Sequence, residues 1–265
     1  MTFPKDFGST MEPRNLVKEA AAGGEHVRGI HLTFPATAAI EVLAGLDLQF
    51  IYLDGEHGCF DWRDIEVMCI TAERYGLTPI ARIPDASSGT ITRFLDRGVR
   101  GIVVPHVESL DDAKGVIDAA YFAPAGKRSF GAGRPEYGRY AAGRPAYMAA
   151  SNAALSLCIM IETLSGLEIA HELAALPHVD YLSYGMLDLA QSLGHPGDPA
   201  HAEVTAAVSA CTQRIHRAGK RVREDFMNFA WINDVLLAGG RQLLDRPGAG
   251  ERSAAKAKTG SGADD

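Results

Sequence analysis

Long apolar runs are missing from this chain. No stretch approaches the ~20 consecutive apolar residues of a membrane span, so none is expected. Positive charge is also in deficit. There are 26 Lys and Arg against 33 Asp and Glu, a net charge of −7, which argues against nucleic acid or an anionic membrane as partner. Cysteine is scarce: Cys59, Cys69, Cys158 and Cys211 form no CxxC pair and no zinc-ligand spacing. Reduced thiols in a cytoplasm are the simplest expectation. The opening MTFPKDFGST has no apolar core, so no signal peptide is expected. What remains is 265 residues with 46% hydrophobic content, enough for one barrel-sized domain or two smaller ones.

Apolar runs of strand length alternate with helical patterns along the chain. Strands are expected at 27–33, 48–54, 78–83, 100–105, 155–161, 179–184, 220–223 and, weakly, 241–244. Helices are expected at 11–22, 36–43, 61–75, 88–97, 110–121, 164–175, 200–218 and 228–238. Such alternation implies right-handed βαβ units and a parallel sheet. Eight strands without reversal favour an α/β (β/α)8 TIM barrel as a single domain over 1–246. Two stretches break the rhythm. Residues 122–146 are rich in Gly, Pro and Arg, and their arginines could meet an anionic substrate or a neighbouring subunit. Residues 247–265 lack large apolar side chains and are expected to be a disordered tail, leaving the eighth helix absent or atypical.

In a parallel α/β protein, ligands sit outside the carboxyl ends of the strands. That rule makes residues 50–58, FIYLDGEHG, the focal stretch. A buried strand there ends in Asp54, Glu56 and His57, framed by Gly55 and Gly58. A histidine at such a place can move protons near neutral pH, and a carboxylate beside it can hold its tautomer. The bland alternative is a polar turn with Asp61 capping the next helix. Other strand ends offer His31 and Thr33, Arg82, His106 and Glu162, and Asp188 opens the helix after strand six. Alone, Glu162 reads as a strand-end ion pair and Asp188 as a helix cap. Together, one βαβ step apart, two carboxylates suit an oxygen-loving divalent ion.

Several pieces together resemble the HpcH/HpaI aldolase family, metal-dependent class II pyruvate aldolases on a phosphoenolpyruvate/pyruvate-type barrel. They are Leu53-Asp54-Gly55-Glu56-His57-Gly58, Ala81-Arg82-Ile83-Pro84, Gly101-Ile102-Val103-Val104-Pro105, Gly126-Lys127-Arg128-Ser129-Phe130-Gly131, Ile161-Glu162-Thr163 and Gly185-Met186-Leu187-Asp188-Leu189. The resemblance implies Glu162 and Asp188 as ligands of Mg2+, Mn2+ or Co2+, and His57 as the acid/base. It implies Arg82 as the cation at the keto oxygen, Asp54 orienting His57, and Asp96 supporting that histidine, in some arrangements across a subunit boundary. Substrate contacts are expected from the Gly185, Met186 and Leu187 backbone, and from His31, His106 and Arg128. Met160, Met186, Leu187, His31 and His106 stand where the family usually has other residues.

The activity implied is a divalent-metal carbon–carbon lyase. It would cleave a 4-hydroxy-2-oxo acid, through a metal-stabilised enolate, to pyruvate or a related 2-oxo acid plus an aldehyde. The substrate is a small 2-oxo acid and the expected state a homo-oligomer. Alternatives are a decarboxylase, hydratase or hydrolase of an oxo acid on the same metal site, and a non-catalytic barrel that binds a small acid.

Overall fold

The structure is a computed structural model, and it describes residues 14–131 and 143–245. Two compact units divide the chain, Met1–Phe229 and Ala230–Asp265.

The first unit begins with α1 (Leu16–Ala21), followed by β1 (Val27–Leu32), α2 (Thr37–Leu43), β2 (Phe50–Asp54) and α3 (Trp62–Arg74). Next come β3 (Thr78–Arg82), α4 (Ser88–Asp96), β4 (Gly101–Val104), α5 (Leu110–Ala120) and α6 (Arg144–Ala154). The remainder is β5 (Ser156–Ile161), α7 (Leu164–Ala175), β6 (Tyr181–Tyr184), α8 (Met186–Ser192), α9 (Ala202–Arg217), β7 (Arg221–Val222) and the start of β8 (Met227–Trp231), whose last two residues fall in the second unit. The strands form one sheet in the order β7-β6-β5-β4-β3-β2-β1-β8, with parallel pairing from β1 through β7. Local chemistry explains the helix starts. Asp61 and Asp64 make a reciprocal capping box on α3, and Ser87, Ser109 and Thr163 cap α4, α5 and α7.

The sheet curls on itself. Val27, Phe50, Tyr52, Ile80, Val103, Cys158, Met160, Tyr181 and Met227, from seven of the eight strands, meet in one apolar cluster with Phe226. Only a sheet curved towards closure brings such distant strands to one core. Val17, Ala20 and Ala21 of α1 join the same cluster. Asn15, 4% exposed, ties α1 there: its Nδ2 donates to Arg100 O and Ala154 O, both at 2.8 Å, and its Oδ1 caps Lys18 N at 2.9 Å. Those carbonyls precede β4 and β5, so α1 plugs the amino-terminal ends of the strands. The carboxyl ends are left for the site.

Three expectations need correction. Strand eight is not 241–244 but Met227–Trp231, which the sequence reading had placed in a helix. Residues 241–244 are the last turn of α10 (Ile232–Leu244), which overlaps the helix expected at 228–238 and follows strand eight. The helix runs through Gly239 and Gly240, because a helical glycine costs only about 1 kcal/mol. Second, α6 was not foreseen, and it starts inside the stretch taken as a loop at 122–146. Third, the first helix is shorter than 11–22. The expected tail, 247–265, lies outside the described residues.

In the second unit, α10 is amphipathic. Ile232 is buried, and Leu236, Leu237, Leu243 and Leu244 are exposed.

Candidate active site

The parallel register sets Asp54 at the end of β2 directly beside Arg82 at the end of β3. Arg82 therefore grips the Asp54 carboxylate with two bonds, Nε to Oδ1 at 3.1 Å and Nη2 to Oδ2 at 2.7 Å. The chain then turns sharply. The backbone N–H groups of Glu56 and His57 donate to Asp54 Oδ1 at 3.3 and 3.0 Å. Gly55 is required in that turn, since a Cβ would stand 2.6 Å from the Phe94 ring and 2.7 Å from Arg82 O. Asp54 is 1% exposed. Burial works to raise its carboxyl. The hydrogen bonds from His31, Arg82 and the His57 amide outweigh burial and hold it well below the usual carboxylate range. His31 lies with Nε2 3.4 Å from Asp54 Oδ2 and its ring against Tyr52, and burial pushes this imidazole down towards its neutral form.

Glu56 is the second hub, and the sequence reading left it without a role. Its Oε2 sits 3.1 Å from Arg82 Nε and 3.9 Å from His57 Nε2, and its Oε1 3.3 Å from His106 Nε2. The signal was available: Glu56 is two positions past the strand end, beside the only arginine that ends a neighbouring strand. His106 carries φ 57°, the left-handed conformation that a non-glycine residue rarely adopts. That backbone turn aims both its N–H and its ring at Glu162, with Nδ1 3.0 Å from Oε1. His106 thus bridges Glu56 and Glu162.

Glu162 follows β5 and is 3% exposed. Gly185, after β6, packs on it so closely that a Cβ would stand 2.6 Å from Glu162 Oε2. Asp188 lies in the first turn of α8, exposed to solvent. Burial raises the Glu162 carboxyl, and the like charges of Glu56 and Asp188 push the same way against the opposing pull of His106. A buried carboxylate under the influence of like charge, with an exposed one beyond it, is a donor set that a divalent cation would relieve. Glu162 and Asp188 therefore fit such an ion, with Glu56 beside them.

The expected site residues fall into two groups. Asp54, His57, Arg82, Glu162, Asp188, His31, His106 and the Gly185-Met186-Leu187 backbone belong to one end of the sheet. His57 is exposed, and Asp54 reaches it through its backbone amide rather than its ring. Asp96 and Arg128 are not brought there within this chain. Asp96 ends α4, just before β4 begins, and its Oδ1 pairs with Arg128 Nη2 at 2.8 Å. Arg128 also lies over the Phe122 ring, 4.6 Å from its centroid.

Comparison with known proteins decides the family. Residues 30–234 match the family described as HpcH/HpaI aldolase/citrate lyase. The chain belongs to this family. A 4-hydroxy-2-oxovalerate aldolase of Rhodococcus jostii is 33% identical over 211 residues, 78% of this chain and 80% of that protein. A hydroxypyruvate/pyruvate aldolase of Roseovarius nubinhibens is 31% identical over 208 residues, again 78% of this chain and 80% of the relative. Among solved structures, an HpcH/HpaI aldolase/citrate lyase family protein of Burkholderia cenocepacia superposes with a TM-score of 0.76 at 27% identity, covering 86% of this chain and 97% of that one. An HpcH/HpaI aldolase of Desulfitobacterium hafniense, at 20% identity and a TM-score of 0.77 over 89% and 98% of the two chains, shares the barrel-like α/β fold.

Proposed function

We propose that this chain is a divalent-metal-dependent class II aldolase, cleaving a 4-hydroxy-2-oxo acid to pyruvate or a related 2-oxo acid plus an aldehyde. The observation that carries this reading is the fixed guanidinium of Arg82, held by Asp54 and Glu56 at the edge of a carboxylate cluster that fits a cation. A bound Mg2+, Mn2+ or Co2+ would supply Lewis-acid stabilisation of charge on the substrate's keto oxygen. Glu162 and Asp188 would hold that ion.

Arg82 places a second positive charge where the keto oxygen becomes negative. The buried Asp54 cannot turn away, so the guanidinium is preorganised and needs no rearrangement during reaction. The Met186 and Leu187 backbone N–H groups, in the first turn of α8, would meet the substrate carboxylate, whereas the Gly185 N–H donates to Ile161 O at 3.0 Å and is not free for it. His57, exposed at the mouth, would take the proton from the C4 hydroxyl. The C3–C4 bond then breaks, its electron pair passes to the pyruvate enolate, and the aldehyde leaves. A proton returned to C3 completes pyruvate. His31, buried against Tyr52, and His106, across from Glu56, would shape the pocket for the aldehyde part. The four free cysteines suit a cytoplasmic enzyme, and the exposed leucines of α10 suit a homo-oligomer.

One observation favours a second reading. His106, bridging Glu56 and Glu162, puts an additional base at the cation site, which would suit decarboxylation of an oxo acid. A panel of 4-hydroxy-2-oxo acids and oxaloacetate, assayed with Mg2+, Mn2+ or Co2+ and then with excess chelator, separates the cases. Aldehyde plus pyruvate, lost in chelator, is expected. Carbon dioxide release without aldehyde formation favours the second reading. Undiminished turnover in chelator overturns the metal-dependent mechanism, and binding without turnover leaves a non-catalytic barrel.

A further inference from the structure

Beyond the carboxylate site, the segment joining α8 to α9 carries a second cluster. His195, His201 and Glu203 each present a ligand atom, and these atoms lie within 4.8 Å of one another. His195 Nε2 sits 2.8 Å from Glu203 Oε2. The His195 and His201 rings stack at 3.5 Å, 17° from parallel. We propose that His195, His201 and Glu203 form a second metal site, for a borderline-soft divalent ion of the Zn2+ type.

Chemistry and geometry both point that way. Two imidazoles and one carboxylate are the donor set that suits zinc, whereas Mg2+ and Mn2+ prefer oxygen alone. The two sites therefore differ in the ions they select. Tetrahedral ligands at ~2.1 Å from a shared ion stand ~3.4 Å apart, so atoms now within 4.8 Å of one another need to close by at most about 1.4 Å. Turning the rings out of their stack and swinging the exposed Glu203 side chain would supply that closure. The His201 ring would give up only a long 3.3 Å bond from the Glu203 backbone N–H to its Nδ1.

The backbone that carries these side chains is already fixed. His195 N–H donates to Ala190 O at 2.8 Å, Asp198 N–H to His195 O at 3.1 Å, and His201 N–H to Asp198 O at 3.2 Å. Pro196 and Pro199 stiffen the segment between them. Glu203 opens α9, whose N-terminal turn holds it facing back towards His195. Little ordering is left for the ion to impose, which favours affinity. Bound there, the ion would clamp this segment to α9, and so fix the far end of the short helix that carries Asp188.

The test is Zn2+ titration by calorimetry at pH 7.5 in excess Mg2+, on the full chain and on Glu162→Gln, His195→Ala and His201→Ala. One Zn2+ equivalent is expected in the full chain and in Glu162→Gln, with a rise in Tm on binding. Each histidine variant should weaken binding by at least the ~10–100-fold that even outer contacts to a metal can cost. Mg2+-dependent turnover should be unchanged in the histidine variants, so this site and the aldolase reading fail separately. The proposal is overturned if the histidine variants bind Zn2+ as the full chain does. It is also overturned if only Glu162→Gln loses binding, which would place the ion at the carboxylates, or if the full chain takes up no Zn2+.

Discussion

The two ends of the sheet solve opposite problems with similar residues. At the amino-terminal end, the polar groups that tie α1 to the strands are satisfied. Asn15 meets two carbonyls and a serine hydroxyl, and Arg100 pairs with Glu73 at 2.9 Å. At the carboxyl end, Glu56 pairs with Arg82, Glu56 and Glu162 share His106 between them, and the like charges of Glu56 and Asp188 act on Glu162. The first arrangement lowers the energy of the folded chain. The second leaves like charges near each other, a cost that the proposed cation and anionic substrate would offset. On the proposed reading one end serves stability and the other chemistry, and substitutions should separate the two.

The largest effect is expected from Arg82→Ala, which strikes both properties. It removes the charge facing the keto oxygen, about 10²–10³ in kcat. It also strands the buried Asp54, about 3–5 kcal/mol of stability. Steady-state kinetics and a denaturant melt read the two losses. Glu162→Gln should split them: turnover with Mg2+ falls at least as far, about 10³-fold, while Tm holds or rises because the crowding is relieved. A Tm many degrees lower would show that Glu162 stabilises the fold and contradict the contrast drawn between the ends.

His57→Ala should lower kcat by about 10²–10⁴ if it is the acid/base, with Tm unchanged at so exposed a position. His106→Ala should alter aldehyde preference with a smaller change in kcat. The reverse order, normal kcat for His57→Ala and loss for His106→Ala, would move the proton transfer to the residue bridging Glu56 and Glu162.

Asn15→Ala tests the opposite end. It leaves buried carbonyls of Arg100 and Ala154 short of a donor, about 2 kcal/mol, and Tm should fall by about 4–8 °C. At 20 °C kcat should stay within twofold of the starting value. The smallest effect is a pH dependence. The folded-state pKa of Asp54 is depressed, so its stabilising contribution is complete above its unfolded value near ~3.9 and is lost as pH falls below that. Chemical melts at pH 5 and pH 3 should show the loss, and Asp54→Asn, though less stable at pH 5, should show a shallower fall between them.

Much of this was written locally. The period of each strand and helix, and the turn chemistry at each strand's end, depend on residues two to four apart, and a chain shows those in order. So the parallel α/β alternation was legible, as was the set of Asp54, His57, Arg82, Glu162 and Asp188 at the strand ends. Where local signals competed, reading failed. The helix expected at 228–238 overlapped both β8 and α10 and so displaced strand eight to 241–244, and Ala-rich α6 was masked by the Gly, Pro and Arg before it. Meetings between distant side chains were decided only by the tertiary structure. Sheet register and curvature set Arg82 against Asp54, 28 positions away, and Glu162 against His106, 56 away. They also made Glu56 a hub, turned His106 left-handed, and sent Asp96 to Arg128, because spacing along a chain does not specify which side chains a curled sheet brings into contact.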